Sequence, residues 1–237
     1  MAAPRAKKPS TRKSKATTKP KTESRRPGRP SGSANKQEQR TRLLDTAMTL
    51  FARQGIAETS LSEIAREAGV TPAMVHYYFS SRDQLLDAVI DERIQPRRVA
   101  LSQLFDGNAG DPITVITALV ERVMQSATED PWFPALWMRE VVSDNGLLRQ
   151  RVAERHGHVH LQAAINCLAR WQAEGKINPD IEPALLFVSI FGLVVFPLIA
   201  SKAWNNNVVK HKLTPDDIAR HAIALLSHGV GPVRSRR

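Results

Sequence analysis

The chain has 237 residues, a formal net charge of +11 and one cysteine. Its hydrophobic content of 42 % allows a sizeable core, and a single cysteine excludes an internal disulfide. The basic balance favours an anionic partner such as nucleic acid. The sequence contains no P-loop, Gly-x-Gly-x-x-Gly, Gly-x-Ser-x-Gly or His-Glu-x-x-His motif. We therefore expect neither an enzyme nor a bound cofactor.

The excess positive charge lies entirely in the N-terminal segment. Residues 1–36 contain twelve Lys and Arg residues and one acid, together with many Pro, Ser and Thr residues. We expect this basic tail to be disordered, because it has too few apolar side chains to offset the entropy of ordering. Arg29 lies in Gly28-Arg29-Pro30, which resembles the centre of an AT-hook for the A·T-rich minor groove. Pro27 replaces the first Arg of a full hook, so a polycation that neutralises phosphates nonspecifically is the alternative.

Helical patterning begins at Gln37, and its first helix is predicted to stop at Gly55. Ser60 and Glu63 form the pattern of a capping box at the start of a second helix. Gly69 is placed to end that helix, and Thr71 to cap a third. A fourth helix is predicted after Ser81. Two short helices joined by a tight turn after a longer helix are typical of a helix-turn-helix.

The run from Thr59 to Phe79, TSLSEIAREAGVTPAMVHYYF, followed by SRDQLL from Ser81, resembles the TetR (tetracycline repressor) family. The resemblance implies an all-α chain with an N-terminal three-helix helix-turn-helix domain and a larger helical ligand-binding and dimerisation domain. We place these domains at residues 37–97 and 98–229, followed by a basic C-terminal tail at 230–237. It further implies a homodimeric, ligand-responsive repressor of the bacterial cytoplasm and nucleoid that binds a palindromic operator in double-stranded DNA. The unusual Pro72-Ala73 and Val75-His76 pairs leave the operator sequence unreadable.

The predicted third helix is the candidate recognition helix. The N-terminal half of such a helix faces base edges in the major groove, where polar side chains can hydrogen-bond and apolar ones can contact thymine methyl groups. Residues at helix starts are placed for phosphates. The alternative is that these residues have purely structural roles. Ser60 and Thr71 would then only cap helices, and others would only pack in the core. The candidate DNA contacts are Thr59, Ser60, Thr71, Pro72, Ala73, Met74, His76, Tyr77, Arg82 and, in the tail, Arg29.

The C-terminal part is predicted to be helical near 98–105, 112–128, 132–144, 146–174, 183–204 and 214–229. One face of the 132–144 helix combines aromatic rings with a carboxylate, a set that suits an organic cation. Arg139, on the neighbouring face, would instead receive an anion. Plain core packing is the alternative for all of these residues. The candidate ligand contacts are Phe133, Trp137, Glu140 and Val141, with Ile165, Phe187 and Phe191 as a far wall.

The segment 183–204 is long, apolar and interrupted by Pro197. We interpret it as a helix buried between subunits rather than a membrane span, and expect it to form a four-helix dimer bundle with 214–229. The histidines 156, 158 and 160 invite a metal interpretation. His158 would point away from the other two on a helix, however, so we expect no metal site.

The effector, the operator and the regulated genes are not readable from the sequence. A faint resemblance of residues 133–140 and 146–152 to regulators of multidrug or transporter genes suggests control of transport or efflux. Two other functions compete with a ligand-released repressor. One is a nonspecific nucleoid-type protein that uses the basic tail alone, and the other is a TetR-like activator.

Overall fold

The computed structural model describes residues 32–106, 110–142, 146–207 and 212–231, with side chains for 35–106, 110–140, 146–205 and 212–231. These ranges contain helices and no strands, so the expected all-α class is confirmed. A π-helical turn, Ile90–Ile94, joins α4 to α5, and a 3-10 turn, Gln103–Phe105, follows α5. The α-helices are α1 Gly32–Gln54, α2 Leu61–Ala68, α3 Pro72–Tyr78, α4 Arg82–Val89, α5 Gln95–Ser102, α6 Pro112–Glu129, α7 Trp132–Val142, α8 Leu147–His156, α9 Val159–Ala173, α10 Pro183–Asn207 and α11 Pro215–Val230.

Local signals position the short helices α2 and α3. The Ser60 hydroxyl accepts a hydrogen bond from the Glu63 amide, and the Glu63 carboxylate accepts one from the Ser60 amide, completing the capping box. The Ser60 amide also keeps the pKa of Glu63 below its ordinary value. Gly69 ends α2 in the left-handed region at φ 66°, where a side chain would be strained. Thr71 then caps α3, which begins with Pro72.

Three of the expected domain boundaries fall inside helices. Helix α1 begins at Gly32, so residues 32–36 belong to the helix and not to the tail. The boundary between 97 and 98 falls inside α5, because the backbone stays helical from Arg82 to Phe105 through the π-helical turn. Val230, assigned to the C-terminal tail, is the last residue of α11 and is 1 % exposed. Its carbonyl accepts a hydrogen bond from the Asn178 amide, which fixes the helix end.

The single helix expected at 146–174 is two helices. Gly157 has a φ of 60°, and this residue separates α8 from α9. The left-handed region stops a right-handed helix at low cost only when the residue is glycine. Because of this break, α8 and α9 have different neighbours. Helix α9 packs against α5, whereas α8 packs against α7.

Two groups of buried apolar side chains form separate cores. The N-terminal core lies among α1–α4 and includes Phe51 and Phe79. The C-terminal core is formed mainly by α6, α9, α10 and α11 around Trp171. Helix α7 contributes to both, since Leu136 is buried in the N-terminal core while Trp137 packs against the other. Helix α7 therefore bridges the N-terminal core and the C-terminal helices.

Helix α10 presents apolar side chains on the surface of the monomer. Among the described residues it is the one helix long and apolar enough to cross a membrane, over Pro183–Asn205. Only 28 % of its most apolar 18-residue stretch is buried. The exposed large apolar residues of α10 and α11 are Leu185, Val188, Phe196, Ile199, Trp204 and Leu225. Exposed apolar residues grouped in this way mark a contact with another molecule.

Candidate DNA interface and ligand pocket

Helix α3 buries one face and exposes the other. Val75 is fully buried and Phe79 is 2 % exposed, so these two residues anchor the helix in the N-terminal core. On the opposite face, His76 is exposed and Tyr77 is 65 % exposed. Tyr78 is half-buried and donates a hydrogen bond to the Gln39 side chain at 3.2 Å. The outward face of α3 thus offers polar and aromatic side chains at the surface of the monomer.

The other predicted α3 contacts lie on or beside this face. Thr71, Pro72 and Ala73 are exposed, and Met74 is half-buried. The Thr71 hydroxyl accepts a hydrogen bond from the Met74 amide at 3.3 Å, so its capping role is present without DNA. The first turn of α3 is therefore accessible to a macromolecule, as a major-groove helix requires.

The expected phosphate contact of Thr59 is contradicted. Thr59 is 1 % exposed, and its hydroxyl donates to the Gly55 carbonyl at 2.7 Å. This bond closes the turn between α1 and α2 and removes the hydroxyl from the surface. Ser60 is exposed, although its hydroxyl is engaged by Glu63. Arg82 is also exposed and donates one hydrogen bond to the Ala57 carbonyl at 2.8 Å, which ties α4 to the same turn.

Lys36 is a candidate contact that the sequence interpretation missed. Its ammonium donates to the Tyr77 hydroxyl at 2.8 Å and lies 5.3 Å from the centre of that ring. The same hydrogen bond raises the pKa of Lys36. The start of α1 is therefore held against the end of α3, which is the candidate recognition helix. Arg29 itself lies outside the described residues.

A cavity of about 420 Å³ lies between the two cores. Helices α5, α7, α8, α9 and α10 all contribute to its wall. Its volume falls in the range of small-molecule pockets. The lining residues are Ile94, Arg97, Arg98, Leu101, Ser102, Trp132, Phe133, Leu136, Trp137, Glu140, Leu148, Arg149, Val152, Ala153, His158, His160, Leu161, Ala184, Phe187, Val188 and Phe191.

Four of the predicted aromatic contacts meet in this cavity. Trp137 stacks on Phe191 with ring centres 5.5 Å apart and planes 18° apart. Phe191 also stacks on Phe187 at 6.0 Å and lies 6.3 Å from Phe133. All four rings are half-buried. They form a continuous aromatic wall that α7 and α10 build together.

Two predicted ligand contacts do not fall on this wall. Ile165 is not among the lining residues. Helix α9 reaches the cavity only through His160 and Leu161 near its first turn, and Ile165 lies one turn farther along. Val141 lies in α7, but its side chain falls outside the described part.

Glu140 lines the cavity, but it also supports the fold. It is 8 % exposed, and its Oε2 accepts a hydrogen bond from the Leu148 amide at 2.9 Å. That amide belongs to the first turn of α8, whose own N-cap residue, Gly146, offers no side-chain acceptor. The carboxylate therefore caps α8, and its negative charge is already used by the helix N-terminus.

The positive groups in the wall differ in their partners. Arg97 donates to the Asp130 carboxylate at 2.8 Å and lies over the Trp132 ring. Arg98 donates to the Gln95 side-chain oxygen at 3.0 Å and to the Gly157 carbonyl at 3.3 Å. Partial burial lowers the pKa of Arg98. Arg139, the anion contact considered from the sequence, instead donates to the Arg53 carbonyl of α1.

Helix α8 connects the cavity to the N-terminal core and α4. Val152 lines the cavity and packs against the N-terminal core. The Arg151 guanidinium binds the Asp87 carboxylate of α4. One turn later, the Arg155 guanidinium binds Asp91 at 2.6 Å. Helix α8 thus touches the cavity on one side and α4 on the other.

The three histidines form no metal site in the described part of the chain, where no group of three metal-ligating side chains occurs. Nε2 of His156 lies 2.8 Å from a carboxylate oxygen of Asp91, and Nε2 of His160 lies 3.1 Å from the side-chain nitrogen of Gln95. His158 precedes α9 and is exposed. The histidines are therefore used separately, in hydrogen bonds or at the surface.

Two short capped helices after a longer one, with the second of the two exposed, are the arrangement of a helix-turn-helix regulator. The family model described as bacterial regulatory proteins of the TetR family matches residues 43–89. A second model, described as the C-terminal region of YcdC-like proteins, matches residues 90–195. The chain belongs to the TetR family of transcriptional regulators, which are soluble DNA-binding proteins and not enzymes.

Known relatives agree with this assignment. The transcriptional regulator SrpR of Pseudomonas putida is 24 % identical over 184 residues, which cover 75 % of this chain and 83 % of SrpR. The structure of SmeT bound to triclosan matches 84 % of this chain and 98 % of SmeT at 17 % identity, with a TM-score of 0.58. A regulator from Saccharomonospora viridis in complex with choline matches 83 % of this chain and 100 % of its own at 19 % identity, with a TM-score of 0.56.

Proposed function

We propose that this protein is a repressor that binds a palindromic operator as a homodimer and is released by a small molecule in the cavity between its two cores. The observation that carries the proposal is the outward face of α3, where His76 and Tyr77 are exposed on a helix whose other face is locked into the core. Such a helix is rigid enough to read base edges.

We assign the direct contacts to the exposed residues of α3 and to three flanking groups. His76 hydrogen-bonds a base, Tyr77 reaches a base edge or phosphate, and the first turn of α3 contacts thymine methyl groups. Ser60 and Arg82, at the starts of α2 and α4, bind phosphates, helped by the positive helix ends. Lys36 adds a further phosphate contact beside Tyr77, and the tail before it extends along the DNA.

We assign the dimer contact to α10 and α11. The exposed apolar residues Val188, Phe196 and Leu225 need a partner in water, and a second copy of the same helices would cover them as a four-helix bundle. A two-fold dimer also places two recognition helices on two half-sites of a palindrome. Phe196→Glu is expected to give monomers in sedimentation, whereas the surface change Glu121→Gln on α6 leaves the dimer intact.

The proposed release mechanism uses helix α8. A ligand that fills the cavity displaces α8, and the ion pairs of Arg151 and Arg155 transmit this shift to Asp87 and Asp91. The half-sites of an operator are fixed about 34 Å apart or at a multiple of that distance. Two rigid recognition helices tolerate little change in separation, so a small tilt of α4 weakens several DNA contacts together.

The regulated genes are proposed to encode transport or efflux functions. Support comes from the aromatic wall of the cavity, which suits apolar compounds, and from the structural likeness to SmeT, whose structure holds triclosan. The activity is tested by selecting bound fragments from genomic DNA and footprinting them. A repressor protects one palindromic site and loses it when a ligand fills the cavity, whereas uniform coating of DNA would overturn the proposal.

Trp137→Ala provides the matching test of the cavity. Because Trp137 stacks on Phe191 and lies away from α3, its truncation is expected to weaken release by ligand while operator affinity stays near that of the wild type. Loss of operator affinity with normal release would mean that Trp137 is only a core residue and that the ligand binds elsewhere.

A further inference from the structure

The apolar wall of the cavity also contains charged side chains. Its lining contains three guanidinium groups, on Arg97, Arg98 and Arg149, and one carboxylate, on Glu140. The Glu140 carboxylate caps α8, and Arg97 is neutralised by Asp130, which lies outside the lining. Neither of these two carboxylates forms an ion pair with Arg98.

Arg98 is the group that needs an anion most. Its side-chain hydrogen bonds go to the neutral oxygens of Gln95 and of the Gly157 carbonyl, and it forms no ion pair with a carboxylate in the described part of the chain. A half-buried guanidinium without a counter-ion is costly, and burial is what lowers its pKa. A carboxylate would restore the charge balance through charge-assisted hydrogen bonds.

The surroundings of Arg98 reinforce this preference. Its guanidinium is held at the Gly157 carbonyl, two residues before the start of α9. The N-cap residue of this 15-residue helix, His158, makes no side-chain cap, so the first amides of α9 receive no acceptor from it. His160 lines the same part of the cavity. The side-chain oxygen of Gln95 accepts a hydrogen bond from Arg98, so its side-chain nitrogen faces His160 and donates to Nε2 of that ring. The part of the cavity around Arg98 therefore offers hydrogen-bond donors rather than acceptors.

We infer that the cavity binds an amphipathic carboxylate, with its carboxylate against Arg98 at the start of α9 and its apolar body against the aromatic wall of Trp137 and Phe191. This inference rests on the proposed function and names the class of its ligand. It replaces the organic cation suggested by the sequence, because the one carboxylate in the lining is occupied by the Leu148 amide. A volume of about 420 Å³ accommodates a medium-chain or bicyclic acid.

Calorimetry on the full chain without DNA tests the inference with molecules that differ only in their head group. The decyl series is decanoate, decanol and decyltrimethylammonium, and the naphthyl series is naphthoate, naphthylmethanol and naphthylmethylammonium. In at least one series the carboxylate is expected to bind about tenfold or more tighter than the alcohol. Tighter binding of the ammonium compounds, or no binding of either carboxylate, would overturn the inference.

Variants at one position assign the carboxylate to Arg98. Arg98→Gln should weaken carboxylate binding about tenfold or more and leave alcohol binding unchanged, while Arg98→Lys keeps part of the preference. Arg122→Gln, which removes an exposed charge from α6, is the control and should have no effect. Thermal unfolding confirms that each variant is folded, and equal carboxylate affinity in Arg98→Gln and wild type would overturn the assignment.

The same probes separate this inference from the proposed function. Carboxylate binding through Arg98 without release of operator DNA would leave the ligand class intact and contradict the regulatory role. Operator release by the ammonium compounds alone would support the regulatory role and overturn the carboxylate.

Discussion

The Arg151 guanidinium of α8 donates two hydrogen bonds to the Asp87 carboxylate of α4. Its Nε lies 2.7 Å from one carboxylate oxygen, and a terminal nitrogen lies 3.1 Å from the other. The two residues are 64 positions apart in the chain. A two-point guanidinium–carboxylate pair fixes orientation as well as distance. This geometry links α8, which lines the cavity, to α4 of the DNA-binding domain.

Breaking that connection should uncouple the two sites. Arg151→Ala is expected to reduce the ratio of operator affinities without and with the releasing ligand by about fivefold or more, since α8 would then be connected to Asp87 through Arg155, without the two-point pair. Fluorescence anisotropy on a labelled operator measures the ratio. Lys176→Ala, which breaks the exposed pair with Glu174 at 2.8 Å, is the control. A ratio unchanged in Arg151→Ala would show that coupling runs through another contact.

Removing the Glu140 cap should destabilise the fold. Glu140→Ala leaves the partly buried Leu148 amide without its acceptor, which costs about 1–3 kcal/mol in the free energy of unfolding. Glu140→Gln keeps an acceptor oxygen and should lose less. Urea denaturation compares both with the exposed control Glu121→Ala, for which we expect a change within about 0.5 kcal/mol. Equal stability of Glu140→Ala and wild type would mean that water or a neighbour replaces the cap.

The Asp91 carboxylate should contribute to the acid side of the stability profile. Its hydrogen bond with Arg155 is the main cause of a pKa below the ordinary 3.8, with His156 adding to the effect. A lowered pKa in the folded state gives stabilisation that is present above 3.8 and lost as the pH falls through the lowered value. Asp91→Asn should therefore be less stable than wild type at about pH 5 and approach it near about pH 2.

Urea unfolding across that range measures the difference. Asp83→Asn is the control, because Asp83 is exposed and forms no ion pair among the described residues. A constant difference between Asp91→Asn and wild type down to the lowest pH would contradict the role of the Arg155 pair.

Deleting residues 2–31 should weaken DNA binding without unfolding the protein. This truncation leaves Lys36 and its bond with Tyr77 in place, so α1 and α3 stay joined. The slope of log affinity against log salt is expected to become shallower by about 0.9 for each phosphate that the tail neutralises. Retention of the full slope would show that the tail does not touch DNA. An effect confined to operators with A·T-rich flanks would favour the AT-hook interpretation of Arg29 over a nonspecific polycation.

The DNA-binding unit was largely predictable because its signals act over short distances. The bonds between Ser60 and Glu63 and between Thr71 and Met74 span three residues each, and the role of Gly69 depends on its own φ. Thr59 was misassigned because a threonine before a capping serine reads as a surface residue. Its burial depends on the shape of the whole turn, which brings the Gly55 carbonyl to its hydroxyl.

The cavity was predictable only in part. Trp137 and Phe191 carry an aromatic pattern that marks them in the sequence. The importance of Arg98 arises instead from the neutral partners around it, and these depend on the packing of α5 against α9 and the turn before it. The sequence placed Glu140 on the correct face of α7, but its use as a cap for α8 depends on how α8 packs against α7.

Specific reading of an operator by α3 is tested most directly by one comparison of affinities. Wild type, His76→Ala and Tyr77→Ala are titrated against the selected operator and against unrelated DNA of the same length at the same salt concentration. We predict that each variant binds the operator more weakly by about 1–3 kcal/mol, with affinity for unrelated DNA nearly unchanged. Unchanged operator affinity in both variants would contradict the assignment of α3 as the recognition helix.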